Sequence, residues 1–393
     1  MTPQASEELG SGGREAATRR QRFVTALNHE EPDRVPIAFG GPECSINQAA
    51  HHNLLDYLGL LRRDPPVIID NILQIVEPDE RLYDVFDVDV RWLIPREGPA
   101  AWRDDHEVYV DEFGRTFRAG GSFYNQVDYP LKEGTGAELA RYSFPDVTAP
   151  SRVEGLTEKA QSLYEAGYGL VGDGAWGIYE ISSSLRGTEN LFLDMALRLD
   201  YVETLALEVY EQHIKPFYST LMETIGQWLQ MVVVSDDYGG QQQLLFSPKV
   251  FRRVYKPLLA DLVAHIKGLG DVKVYIHSDG AVAPLISDFR EIGLDGLNPV
   301  QYTAAGMQAN VLKETYRETL GFFGGGIDNE VLSFQSAEDV RSAVRQQITA
   351  LAPGGGYLFA TIHNISPEVP PANVVAFFEA GKEFGRYPIR AQP

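Results

Sequence analysis

The chain has 393 residues, 44% of them hydrophobic, with 34 Lys and Arg against 55 Asp and Glu, a net charge of −21 and a single cysteine. A chain of this size buries about three quarters of its unfolded surface, which excludes wholesale disorder and allows one large barrel or two medium domains. The acid excess repels phosphate backbones and anionic lipid, so no nucleic-acid or membrane partner is expected, and one thiol, Cys44, excludes a disulfide framework or multi-thiolate cage and fits a cytoplasmic protein.

Residues 1–18 are polar and rich in Gly, Ser and Glu, a composition that predicts a disordered tail. No targeting segment is read there, because Arg19-Arg20 runs into polar rather than apolar residues. From residue 19 to 393 a single domain is expected. Short β-branched or aromatic runs recur at 34–39, 85–93, 169–172, 231–235, 272–276, 294–298, 320–324 and 357–361, separated by segments of helical period. Runs such as MVVVS and VKVYI are continuously apolar, as strands covered on both faces are. Eight strands with helical crossovers predict an α/β fold, a (β/α)8 TIM barrel. An open doubly wound sheet is the alternative, but no Gly-x-Gly-x-x-Gly turn follows the first run.

The excess length falls in two places. After the second strand, about 96–150, EVYVDEFGRTFRAG alternates around Phe113-Gly114 and predicts an inserted β-hairpin. From Glu189 to Ile225 runs a long helical stretch, with an interruption expected at Pro216. Further on, Ser336 and Asp339 form a capping-box pattern ahead of Val340, Val344, Ile348 and Leu351, stopped by Pro353.

In a barrel the C-terminal strand ends build the site, which collects Gly40, Gly41, Arg91, Asp173, Asp236, Asp237, His277, Asp279, Asn298, Gln301, Asp328, His363 and Asn364 into one ring. His277 and Asp279 stand two apart and share a face in an extended segment; with His363 they make a two-histidine, one-carboxylate set suited to Zn²⁺. Spacing alone also describes hydrogen-bonded rim histidines, with Asp279 capping the next helix, and favours that reading. Asp236 and Asp237 are adjacent, so one faces inward and one outward, either as a proton-handling pair or as a helix cap or ion-pair partner of Arg252 or Arg253. Arg91 would close the second strand inside the mouth and grip an anion, or pair with Asp87 or Asp89. Gly324, Gly325 and Gly326 are read as a tight turn, and Cys44 is left out of the site.

The ordered motifs RFVTALNHEEPDRVP, VVVSDDYGGQ, SPKVFRRVYKPLL, VYIHSDG, EIGLDGLNPVQ, FFGGGID and APGGGYLFATIHNI, between Arg22 and Tyr387, resemble the uroporphyrinogen decarboxylase superfamily. The resemblance independently implies the barrel and two alternative chemistries: cofactor-free decarboxylation of porphyrinogen acetates, or zinc-dependent methyl transfer involving corrinoid proteins. The details are closer to the methyltransferase branch. Where decarboxylases carry the Arg-rich RPVWFMRQAGR, this chain has RVPIAFGGPEC; their FDSWAG corresponds to SDDYGG, aligning Asp236 with their Asp and putting Asp237 in place of their Ser. His363 falls at the active-site His of the last strand and Tyr179 near the active-site Tyr. Zinc-binding relatives use H-x-C with a later Cys, where this chain has His277-Ser278-Asp279 and His363.

The expectation is therefore a methyltransferase that moves a methyl group between a small-molecule substrate and a corrinoid partner protein. Zinc is expected on His277, Asp279 and His363; Asp236, Asp237 and His363 serve as catalytic groups; Arg91, Tyr179, Tyr238 and Gln301 contact substrate. A homodimer is expected from the superfamily. A cofactor-free decarboxylase and a non-catalytic ligand-binding barrel are the alternatives.

Overall fold

A computed structural model describes residues 17–62, 65–103, 106–174 and 176–389. The expected disordered tail lies, apart from its last two residues, outside the described residues. Thr18 caps the first helix, Arg19–Leu27, and its capping box is closed by Gln21.

Seven parallel strands, Val90–Leu93, Gly169–Gly172, Met231–Ser235, Lys273–His277, Gly296–Asn298, Gly321–Phe323 and Tyr357–Leu358, pair in chain order. The segment 36–38 closes the ring between the two ends: the Ala38 amide donates to the Phe359 carbonyl (2.8 Å), and the Asp89 amide donates to the Ile37 carbonyl (2.9 Å). The eight-membered barrel is thus present, but its expected first strand shrinks to a bridge. Pro36 has no amide hydrogen, and the Ile37 amide donates to the Asp89 carboxylate (2.7 Å) instead of a neighbouring strand. The second expected strand loses its first half because Glu80–Val85 is helical and Asp87 takes a positive φ of 53°.

Strand alternation decides which side chains enter the barrel. Tyr275 and His277 both point inward. Tyr275 lies across Gly296 and Gly321, where a Cβ would come within 2.0 and 1.9 Å of its ring and hydroxyl, so it fills the barrel floor and His277 sits one layer above it. On the second strand Trp92 points inward, its ring centroid 5.9 Å from that of Phe323. Arg91 therefore points outward, between the rings of Tyr83 (3.7 Å) and Tyr168 (4.0 Å).

The insertion is larger than the single hairpin expected. Four antiparallel strands, Ala101–Arg103, Val108–Val110, Thr116–Gly120 and Phe123–Asp128, pair in order; the Phe113-Gly114 turn joins the middle two, with Gly114 at φ 79°. Asp111 holds this turn by accepting from the Phe113 and Arg115 amides (3.0 and 2.9 Å). The expected break at Pro216 is instead a widened π turn, Tyr210–Ile214, leading into the helix Lys215–Ile225. The same solution recurs at Phe251–Tyr255 ahead of Pro257, since a wide turn accommodates a residue that cannot donate to the helix. The helix Ala337–Leu351 starts at its Ser336–Asp339 capping box as expected. Among the described residues no helix is long and apolar enough to cross a membrane.

One buried histidine makes stability pH-dependent. His51 Nε2 accepts the Asp79 amide (3.0 Å), and burial pushes its pKa down to about 4. The unfolded chain therefore binds the proton first: His51 contributes its full stabilisation above about pH 6.5 and loses it as the pH falls through about 4. The free energy involved is of order 3 kcal/mol. Urea unfolding at pH 7 and pH 4 is expected to show a smaller pH-dependent loss for His51→Gln than for the unchanged protein; parallel losses would refute the assignment.

Candidate functional site

His277 ends its strand inside the mouth and is buried. Asn298, on the next strand, donates Nδ2 to the Phe323 carbonyl (3.1 Å), which fixes its amide so that Oδ1 must accept. His277 Nδ1–H donates to that oxygen (2.5 Å), so Nε2 is the nitrogen that faces the mouth. Asp279 follows in the loop, held by two hydrogen bonds: its amide donates to Asp237 Oδ1 (2.7 Å), and the next amide, Gly280, donates to Gln301 Oε1 (2.6 Å). Asp279 Oδ1 is buried with no partner among the described residues. His363 arrives from the loop after the last strand, its Nε2 3.9 Å from Asp279 Oδ2 and its ring centroid 6.1 Å from that of His277. One ligand atom from each of His277, Asp279 and His363 lies within 4.8 Å of the others. The three residues expected as a set, His277 and Asp279 two apart and His363 more than eighty positions further along the chain, therefore do converge.

The two aspartates separate as alternation requires. Asp237 faces the mouth, with Oδ1 3.8 Å from His277 Nε2. Asp236 faces the helical layer: Oδ2 accepts from the Tyr179 amide (2.9 Å) and the Tyr238 hydroxyl (2.7 Å), and Oδ1 from the Glu180 amide (3.0 Å). It caps the N-terminus of the helix Ile178–Arg186, and the approach requires Gly177, whose Cβ would stand 2.2 Å from the carboxylate carbon. Burial pushes Asp236 up to about 7. The expected catalytic role for Asp236 does not fit this placement, because both oxygens are committed to the cap.

Four substrate expectations change in the same way. Arg91 lies outside the barrel between two tyrosine rings, so neither the anion grip nor the ion pair with Asp87 or Asp89 is formed; Asp89 is held by Arg22 and Arg34 instead. Tyr238 is fully buried, its hydroxyl given to Asp236, and Tyr179 packs beside it with Phe246 and Tyr255 in an aromatic cluster. Gln301 braces the Asp279 loop and Gln241 (3.1 Å) rather than standing free. Of the alternatives for the aspartate pair, the helix cap is realised, while Arg252 and Arg253 pair with Asp288 and Glu203.

Sequence reasoning missed Glu43 and Glu180, and left Asp173 in the ring without a role. Glu43 and Asp173 are both buried; Glu43 Oε1 accepts from the Ser235 hydroxyl (3.0 Å), while Glu43 Oε2 and Asp173 Oδ2 have no donor among the described residues. Burial raises both, Asp173 to about 7, and the neighbouring Asp173 adds to the rise of Glu43. Glu180 accepts the Gly177 amide (3.1 Å) and is likewise raised, by burial and by Asp237 and Asp236. The acid-Cys pair at the first strand end, Glu43-Cys44, was the available signal for Glu43. Glu43, Asp237 and Asp279 are the acids that act on His277, and Asp279 stands beside His363 as well. Desolvation opposes the charge on His277, but Asp279, Glu43 and Asp237 outweigh it and push it up to about 9.

Comparison with known proteins places this geometry. The family model for uroporphyrinogen decarboxylase (URO-D) matches residues 175–384, more than half of the chain. Among solved structures the chain is similar to a methyltransferase from Methanosarcina mazei, at 18% identity and a TM-score of 0.63, covering 94% of this chain and 99% of that one. It also matches a D-tagatose 3-epimerase-like protein at 14% identity and TM-score 0.33, over 60% of this chain and 83% of that one. A GH113 beta-1,4-mannanase matches at 12% identity and TM-score 0.38, over 88% and 99%. No curated protein matches. The likeness to the first structure is one of fold, and with the family match it leads to one statement: the chain belongs to the uroporphyrinogen decarboxylase family.

Proposed function

We propose that this protein is a metal-dependent methyltransferase that moves a methyl group between a small substrate and a corrinoid carried by a partner protein. The observation that carries the reading is the convergence of His277, Asp279 and His363, with ligand atoms within 4.8 Å of one another. The residues fit a metal: Asn298 aims His277 Nε2 at the cluster, where a metal ion would take the place of its proton, and Asp279 has an unsatisfied buried oxygen. Two imidazoles and a carboxylate suit Zn²⁺ with an open position, where the ion supplies Lewis acidity to a substrate heteroatom. An all-nitrogen-and-oxygen set favours an ether or amine substrate over a thiol.

The protein's own groups have separable roles in this scheme. Asp237 accepts or returns a proton at Oδ1, beside His277. Asp236, Tyr238 and Gln301 are positioning residues that hold the helix N-terminus and the Asp279 loop. Arg91, the arginine expected at the mouth, is turned away from it, and Asp237 and Asp279 stand beside the two histidines where a polycarboxylate would have to enter, which weighs against decarboxylation of a porphyrinogen. The Methanosarcina mazei protein of similar fold is a methyltransferase, which agrees with the methyl-transfer reading.

The test combines metal analysis with turnover. Stoichiometric zinc, and methylation of free cob(I)alamin by a panel of methyl ethers and methylamines that stops when zinc is chelated, is the expected result. Carbon dioxide release from a carboxylic acid, indifferent to the chelator, would overturn it in favour of a decarboxylase.

A further inference from the structure

Three side chains define the candidate metal site, but a fourth stands beside them. Asp237 Oδ1 lies 3.8 Å from His277 Nε2, much as His363 Nε2 lies 3.9 Å from Asp279 Oδ2. Ligand atoms that share one tetrahedral ion stand about 3.4 Å apart, so both contacts are within about half an ångström of that spacing. Asp237 is not a member of the set whose ligand atoms all lie within 4.8 Å of one another. To reach an ion held by the other three, its side chain has to swing.

The surroundings leave it free to do so while keeping its backbone still. Asp236, one residue earlier, is bound to the Tyr179 and Glu180 amides and to the Tyr238 hydroxyl, which anchors the chain just past the strand Met231–Ser235. Asp237 Oδ1 accepts the Asp279 amide (2.7 Å), whereas Oδ2 has neither a hydrogen bond nor an ion pair among the described residues. The side chain is 34% exposed, so solvent rather than packing surrounds much of it. Charge acts in the same direction. Among the described residues neither Asp237 nor Asp279 is paired with a Lys or Arg; each has only a histidine beside it. Two carboxylates together with two neutral imidazoles balance one divalent ion in full.

We infer that Asp237 is a displaceable fourth ligand: its Oδ2 fills the position left open by His277, Asp279 and His363 when no substrate is bound, and yields that position to a substrate heteroatom. One ion–oxygen bond breaks as one ion–heteroatom bond forms, with no change of oxidation state. Once released, Asp237 still stands with Oδ1 beside His277, where it can take a proton. The carboxylate thus guards the open position against water and other small ligands until a better donor arrives. The inference rests on the functional reading for the presence of the ion, and adds to it the residue that controls access to that ion.

The probe is Co²⁺, whose visible absorption reports the number and kind of its ligands, challenged with imidazole, a neutral ligand whose entry is not driven by removal of a charge. The Co²⁺ spectrum of the unchanged protein should differ from that of Asp237→Asn, and the two should converge once imidazole saturates both. Imidazole should bind the Asn variant at least about tenfold more tightly, since a position filled about nine-tenths of the time lowers apparent affinity by that factor. Asp237→Asn keeps an acceptor for the Asp279 amide, and equal thermal midpoints of the metal-free proteins check that the loop is intact. Asp237→Glu, which keeps a carboxylate, should restore both the spectrum and the weak imidazole binding. Loss of Co²⁺ from the Asn variant with recovery in the Glu variant supports the same conclusion; loss from both, matching spectra before imidazole, or equal imidazole affinities would overturn it and leave the functional reading standing. An unchanged protein that binds no Co²⁺ at all would sink the functional reading, and this inference with it.

Discussion

Alanine at His363 is expected to weaken zinc binding by at least about 100-fold, read by competition with a chromogenic chelator, with little change in thermal midpoint. The asymmetry follows from burial. The His363 side chain is 30% exposed and no hydrogen bond ties it to the protein among the described residues, so its loss is felt by the metal alone. Alanine at His277 should weaken zinc at least as much but also lower stability, because the Asn298 carboxamide, locked to the Phe323 carbonyl, is left with a buried unpartnered oxygen costing about 1–3 kcal/mol. Asn298→Ala provides the intermediate case. His277 would keep both nitrogens but lose the bond that selects its tautomer, an effect of about 10- to 100-fold on metal affinity. If all three variants bind zinc as the unchanged protein does, the metal site is not where we place it.

Asp89→Ala should cost about 3–5 kcal/mol, read from the denaturant midpoint, and is the most destabilising single change expected outside the barrel interior. Asp89 is fully buried and accepts from Arg22 (2.6 Å), Arg34 (2.6 Å) and the Ile37 amide (2.7 Å). It therefore ties the first helix, the reduced first strand and the entry to the second strand at the place where the barrel closes. Removing it strands two guanidinium groups whose remaining partners, Asp33 and Asp87, are half exposed and screened by solvent. Asp89→Asn, which preserves the shape and one acceptor, should cost less. A loss below about 1 kcal/mol for the alanine variant would show that the closure does not depend on this carboxylate.

The sequence exposed the strand order well because burial on both faces leaves a composition signal. MVVVS matches its strand, Met231–Ser235, and Gly169–Gly172 matches the run read at 169–172. It was least reliable where a side chain competes with the ladder. Nothing in RVPIAF shows that the Ile37 amide will be taken by a carboxylate fifty-two residues away. The insertion was readable at its centre, where Asp111 and Gly114 encode a turn, but its outer strands are short and exposed and carry little periodicity.

The site divides along the same line. A spacing of two past a strand end put His277 and Asp279 together, and adjacency put one of the two aspartates toward the mouth; both relations are local and survive although Asp236, Asp237 and Asp279 lie in the loops just beyond their strands. The same rule misplaced Arg91, because its register relative to the barrel interior depends on Trp92 packing against Phe323, a contact between distant strands. Composition and period determined that this chain is an acidic α/β barrel and which strand ends hold its polar groups. Which of those groups meet, which are consumed in caps and braces, and which carboxylates remain without a cation were decided only by tertiary packing, since hydrogen bonding and charge pairing depend on distances in space that separation along the chain does not encode.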